Sequence, residues 1–395
     1  MIAKDKITKV LVFMLFSAIS LSGIVISEKG FSLRPFHLAT LIIMAYGFIT
    51  DFKLNIISFS NTLKYTWIFY FLFVIPIGLL NSFSFLLSIK LYINIWINIF
   101  LGLVLYSFLD INYSIEFFKK IVIINLQVVC VIIVIQFALA LIGLYKPVQF
   151  GETGLMLLGR PAAFFGDPGW VAYWIIFLSV YLFYFKKQEE VSLSTFMITL
   201  GLMFCTFIIN QSRVTMFLVI LNSLVLLNYK ILEKLLIIAF GFISTLFIVF
   251  LIVGNIVHIP ENMYYDIIDV NRNPRIYDGI AIITHYFEDG NFWFGNGLGS
   301  ISRLVEYYPC RNFTNAHNVL FLQILNDSGL IGIISILFLF VLLYREVKCK
   351  LSKIIILEFF FMLNIHNIFP YFQMFWVLLF LFILIDKKFK EVYYE

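Results

Sequence analysis

Apolar runs of about 16–24 residues follow one another along this chain, separated by short polar clusters. The runs are apolar on all sides and do not alternate with period two. They therefore predict helices, not the strands of a membrane barrel. Each run is long enough to match the hydrocarbon layer of a bilayer. The segments are 8–27, 35–50, 63–82, 91–109, 121–144, 169–185, 192–209, 213–228, 235–257, 328–344, 354–369 and 371–385. The second and eighth are short, and the last two meet at Asn367, Phe369 and Pro370 with almost no loop. The expected fold is an all-α polytopic integral membrane protein with about 12 transmembrane helices, in a range of about 10–12. Residues 1–395 form a single transmembrane domain on this reading. The first run lacks a small-x-small exit and more spans follow, so no cleavable signal peptide is expected.

Composition agrees: 62% of residues are hydrophobic and 13% charged, against about 45–50% and about 25% in soluble domains. Too few polar residues remain to cover a soluble surface. The positions of the charges set the orientation. With both termini cytoplasmic, every lysine except Lys29, Lys90 and Lys146 falls on the inner side, and every arginine except Arg345 falls on the outer side. Lysine serves as a solvated anchor, whereas the guanidinium fork suits phosphate and carboxylate. An outer face rich in arginine invites an anion-binding reading, with a coding bias toward lysine as the bland alternative.

Two outer segments are long: Leu144 to Gly169, and a loop over residues 257–327 before the tenth helix. The second is acidic on balance yet holds Arg272, Arg275, Arg303 and Arg311. Within it Pro274 can open a helix, and Ile276, Ile280, Ile283 and Phe287 are spaced for an amphipathic helix lying on the membrane surface. The "FGNGLGS" stretch from Phe294 to Ser300 has no preceding strand, which excludes a dinucleotide loop. It reads as a tight turn re-entering the bilayer interface. Asn315 is placed to cap a helix beginning near His317, with His317 and Asn318 in its first turn and a break at Asp327, Ser328 and Gly329 before the next span.

Three constellations carry candidate chemistry. Arg160 lies in "LLGRPAAFFGDPGW", where Asp167 and Pro168 can start a helix. Arg213 interrupts two apolar runs beside Asn210, Gln211 and Ser212, at a place where arginine either snorkels to headgroups or faces a polar cavity. His317 lies between Asn315 and Asn318 and can move a proton near neutral pH. No DxD pair, HExxH, CxxC or Cys/His cluster occurs, so neither a metal, a disulfide framework nor a cofactor is expected. No motif suggests nucleic acid. Glu358 is the one acid in the middle of a span.

These residues resemble the bacterial O-antigen polymerase and O-antigen ligase superfamily. "RPAAFFGDPG" from Arg160 to Gly169 resembles that family's Arg–aromatic–Gly–x–Pro outer segment, with Gly169 where Asn is commoner. "NQSR" from Asn210 to Arg213 resembles its (T/Q)xSR stretch. "RIYDGI…FWFGNGLGS" and "NAHNVLFLQILNDSGLIG" resemble its long-loop pattern of Arg, G-x-G-x-G and H-N-x-x-L. Gly279 stands four residues after Arg275, where the family often has tryptophan, so either Arg272 or Arg275 is the counterpart. The resemblance implies polymerisation of undecaprenyl-pyrophosphate-linked oligosaccharide repeat units on the outer side of the cytoplasmic membrane. The product class is O-antigen, capsule or exopolysaccharide, and membrane lipids, a chain-length regulator and a flippase are the implied partners. On this reading Arg160, Arg213 and Arg275, with Arg272 in reserve, hold the pyrophosphate. His317 acts as base toward the acceptor hydroxyl, Asn318 or Asp278 orients it, and Asp167 supports the Arg160 segment. A ligase transferring glycan to a lipid or protein shares the motifs. A polysaccharide flippase or transporter predicts more polar residues deep in the spans.

Overall fold

The computed structural model describes residues 34–49, 60–112, 115–144, 168–210, 213–256, 274–288, 291–307, 319–364, 369–371 and 373–393, with Ala163, Asn367 and ten positions between Ile7 and Leu21. Among these residues every regular element is helical. The order is α1 (Pro35–Ile49), α2 (Asn61–Leu80, with a π-helical turn at Tyr70–Val74), α3 (Phe85–Asn112), α4 (Ile115–Leu141), α5 (Pro168–Lys187), α6 (Leu193–Asn210), α7 (Arg213–Asn222), the short α8 (Leu224–Leu227), α9 (Tyr229–Ile256), α10 (Pro274–Glu288), a 3₁₀ turn (Ser300–Glu306), α11 (Leu320–Glu346), α12 (Lys350–Leu363) and α13 (Gln373–Tyr393). Among the described residues six helices are long and apolar enough to cross a membrane: Asn61–Leu80, Phe85–Asp110, Glu116–Leu141, Gly169–Lys187, Lys230–Val249 and Leu320–Glu346. The protein is an all-α membrane protein. Each expected span from the second onward overlaps a helix: the eighth is divided between α7 and α8, the eleventh outruns α12, which ends at Leu363, and α11 begins eight positions ahead of the expected 328.

Local chemistry accounts for several boundaries. Ser60 caps α2 by accepting the Leu63 N–H at 3.3 Å. Pro76 stands in the first turn of the helix that closes α2; it has no N–H to give the preceding turn, and the backbone there widens into the π turn. Tyr92 of α3 donates its hydroxyl to the Phe71 carbonyl in that turn at 2.8 Å. Helix α5 is the centre of the bundle, 89% of its span being buried, while α9 lies at the edge with 11%. Helices α3 and α13 approach closely at Gly102, where a Cβ would lie 2.2 Å from the Phe380 ring; small residues let membrane helices come together in this way.

The helix ends sort into two sets. In one set Lys387 pairs with Asp110 at 2.7 Å, Lys119 with Glu190 at 3.5 Å, and Lys187 donates to the Val225 carbonyl at 3.0 Å. Tyr344 meets Glu233, the Ser60 N–H meets Glu346 and the Cys349 N–H meets Asp386. The other set joins Arg34 to the Trp170 ring at 5.1 Å, and the α2–α3 turn to residues 295–298. Helix α12 has 14 residues, about 21 Å of rise, against a hydrocarbon layer of about 30 Å. The α12–α13 connection therefore ends inside the protein, where Asn94 and Asn98 of α3 both donate to the Tyr371 carbonyl, at 3.2 and 3.5 Å.

Candidate functional site

The "GNGLGS" loop, α11 and the α12–α13 connection close on one another and form the main polar cluster among the described residues. It begins with a break in α11. Gly329 adopts φ 64°, ψ −163° inside the helix, a backbone region that essentially only glycine occupies. The break divides α11 into a half-helix, 320–328, and the longer stretch that follows. The loop takes up backbone groups released there. The Asn296 N–H donates to the Asn326 carbonyl at 2.7 Å and Gly297 N–H to Asp327 carbonyl at 3.2 Å. In return, the Leu330 and Ile331 N–H groups donate to Phe292 and Trp293 carbonyls at 3.0 and 3.2 Å. A Cβ on Gly295 would sit 2.6 Å from the Ser328 and Gly329 nitrogens, and one on Gly329 would sit 2.4 Å from the Trp293 oxygen. The glycines are there because two backbones touch.

Side chains tie the loop from three directions. Ser88 donates to the Leu298 carbonyl at 2.5 Å, and Asn81 to the Gly295 carbonyl at 3.4 Å. Asn326 donates to Ser300 Oγ at 2.6 Å and to Asp327 Oδ1 at 3.2 Å. The Asp327 carboxylate, 2% exposed, also accepts from the Gln323 amide and the Tyr371 hydroxyl. The Tyr371 hydroxyl in turn accepts the Gly299 N–H and a Gln323 N–H, each at 3.2 Å. Asp327 is saturated with neutral donors and closed to solvent. Its chemistry is that of a clasp, not a free base.

Helix α10 packs beside this cluster, on α9 and α11. Pro274 opens it, as its spacing predicts. It does not lie on a surface, however. Residues 281–286 are buried in succession, more than a full turn, so no solvated face is left over that stretch. Residues 295–300 of the loop are likewise buried inside the protein. At the rim His285 stacks on Tyr307 with ring centroids 4.1 Å apart, and its Nδ1 lies 3.2 Å from Glu288. Arg303 donates to the Tyr307 hydroxyl at 3.2 Å and its guanidinium lies 5.9 Å from the Phe83 ring centre.

Of the residues expected to act, Arg160, Asp167, Arg272, His317 and Asn318 lie outside the described residues, as does Asn315. Arg213 and Arg275 are placed by their backbones, as the first residue of α7 and the second of α10. Asp278 is half-buried in α10. The helix expected to begin near His317 starts at Leu320, because Val319 at its cap is extended (φ −111°, ψ 121°). His317 and Asn318, expected in its first turn, lie outside the described residues. The residues that sequence reasoning passed over are Gln323, Asn326, Asp327, Ser300 and Tyr371. One signal was available: Gln323, Asn326 and Asp327 fall at i, i+3 and i+4, which puts three polar groups on one side of an otherwise apolar helix. Tyr371 had none.

No family model matches the chain, and no curated protein matches it.

Proposed function

We propose that this protein is a polyprenyl-pyrophosphate-dependent glycosyltransferase that polymerises lipid-linked oligosaccharide repeat units at the outer face of a cytoplasmic membrane. About twelve spans with both termini cytoplasmic fit this reading, since charge alternation supports an even count. The lysine-bearing ends that pair with one another, and Arg303 beside Phe83 of the α2–α3 turn, support the reading. The observation that carries the proposal is the clasp. It joins two sequence segments that resemble the family's long-loop pattern, and one of them runs directly on from His317 and Asn318.

In this mechanism the acceptor hydroxyl attacks the anomeric carbon of the donor sugar and the sugar–pyrophosphate bond breaks. Charge accumulates on the leaving diphosphate. Arg213 and Arg275, with Arg160 and Arg272, hold it through forked donors. His317 takes the hydroxyl proton, and Asn318 or Asp278 orients it. Asp167 supports the Arg160 segment. The substrate partner is an undecaprenyl-pyrophosphate-linked glycan, with a flippase and a chain-length regulator acting beside it. A ligase differs only in its acceptor, and the same geometry serves it.

The test uses single replacements of Arg213, Arg275 and His317 with membrane abundance confirmed. Loss of long polymer on a gel is expected for each. Normal chain length in all three excludes the assignment, and loss of ligation with lipid-linked polymer intact points to the ligase. Full activity with lysine at an arginine position rules out two-pronged phosphate binding there.

A further inference from the structure

A groove lies between α2, α3 and α13, with a volume of about 310 Å³. Pockets that hold small ligands run to about 300–1,000 Å³. Its lining is apolar except for one charge, Lys64. Trp376 within it is 1% exposed, whereas Ile68 and Trp96 are 46% and 36% exposed, so the groove has a buried floor and an open side. Three of the chain's six tryptophans line it: Trp67, Trp96 and Trp376.

The groove has a direction. Helix α2 starts among the lysine-bearing helix ends, where the Ser60 N–H meets Glu346 at 2.6 Å, and finishes at the glycine loop, which Asn81 reaches. Lys64 stands in the first turn of α2. The lining runs from there to Leu72 on α2, from Leu103 to Trp96 on α3 and from Ile383 to Trp376 on α13, about 10–12 Å along each axis. Its long dimension therefore follows the helices, from Lys64 toward the middle of the bilayer. At the far end the Phe71 ring packs on Trp96 and Trp376, with centroids 6.3 and 5.6 Å apart.

The charge at the mouth is unmatched. Lys64 is half-buried, and among the described residues no acid pairs with its ammonium. Glu346, the acid at the same end, accepts the Ser60 N–H instead. A cation at the edge of the hydrocarbon turns toward water or an anion. An apolar chain with an anion at one end satisfies both the groove and its lysine.

We propose that the groove is a binding site for an anionic phospholipid of the leaflet on the lysine-bearing side. One acyl chain lies along the tryptophans and the headgroup phosphate rests on Lys64. A zwitterionic lipid brings its own cation to the phosphate, so Lys64 sets a preference for the anionic one. A polyprenyl chain entering from the glycine-loop end would meet the packed rings and leave Lys64 unpaired. The proposal does not depend on the glycosyltransferase reading.

Tryptophan quenching by brominated lipids tests it. Full-length Trp293→Phe protein is used, so that the tryptophans outside the groove are Trp170 and Trp174, both buried. Vesicles of phosphatidylcholine receive rising fractions of phosphatidylglycerol brominated halfway along its acyl chains, or of phosphatidylcholine brominated alike. The brominated phosphatidylglycerol is expected to quench at the lower fraction. Lys64→Gln should move that curve to about fivefold higher fraction, and Lys64→Arg should not. Lys120→Gln, which removes an exposed lysine away from the groove, should leave it in place. Equal quenching by the two lipids overturns the proposal, and so does an equal shift with Lys120→Gln, which marks diffuse attraction to the whole lysine face. Absence of quenching by either lipid also overturns it, since another occupant, such as a second copy of the chain, then covers the groove.

Discussion

Replacing Tyr371 with phenylalanine removes one oxygen and nothing else from the clasp. That oxygen serves three bonds. It donates to the Asp327 carboxylate, and it accepts the Gly299 N–H and a Gln323 N–H at 3.2 Å each. All the groups involved are buried, so water cannot replace it. Loss of a charge-assisted bond costs about 1.5–3 kcal/mol, and a stranded buried donor about 1–3 kcal/mol. Gln323 keeps its bond to Asp327, which lowers the total, and roughly 3 kcal/mol of local stability is expected to go. Since about 1.4 kcal/mol is tenfold in an equilibrium, the loop should open roughly a hundredfold more often. Hydrogen exchange read by mass spectrometry is the assay. Peptides over residues 295–300 should lose protection by about that factor, while peptides from α5, which touches none of these groups, should not change. Unchanged exchange in the loop would show that Tyr371 does not hold it and would refute the reasoning.

Other outcomes follow from the same geometry. Gly295→Ala and Gly329→Ala put a Cβ 2.4–2.6 Å from backbone atoms and should abolish accumulation of folded protein. Gly201→Ala and Gly241→Ala, with nothing within 4 Å of the new atom, should leave abundance unchanged or raise it slightly. Lys387→Ala breaks a pair whose lysine is about half exposed and should cost less than about 1 kcal/mol in thermal unfolding.

The bundle was legible in the sequence because a membrane helix announces itself by length and apolarity alone. Pro274 marked the start of α10 for an equally local reason. The break at Gly329 was legible too, since Asp327, Ser328 and Gly329 interrupt an apolar run. What the pattern could not reveal was depth. Ile276, Ile280, Ile283 and Phe287 are spaced alike for a helix on a membrane surface and for one inside a protein, and only the neighbours α9 and α11 decide. The partner of Asp327 was hidden for a different reason. Tyr371 lies 44 positions away along the chain and arrives because α12 is short, a fact about three-dimensional stacking that no local window contains.

The central claim is chain growth from lipid-linked units, and reconstitution tests it most directly. Purified protein in liposomes is supplied with polyprenyl-pyrophosphate-linked repeat units on the side that the arginine-bearing ends face. The account predicts a ladder of longer lipid-linked glycans, one polyprenyl pyrophosphate released per new linkage, and loss of both with His317→Ala. Repeat units that stay at their starting length, or that leave the polyprenyl carrier without lengthening, would contradict it.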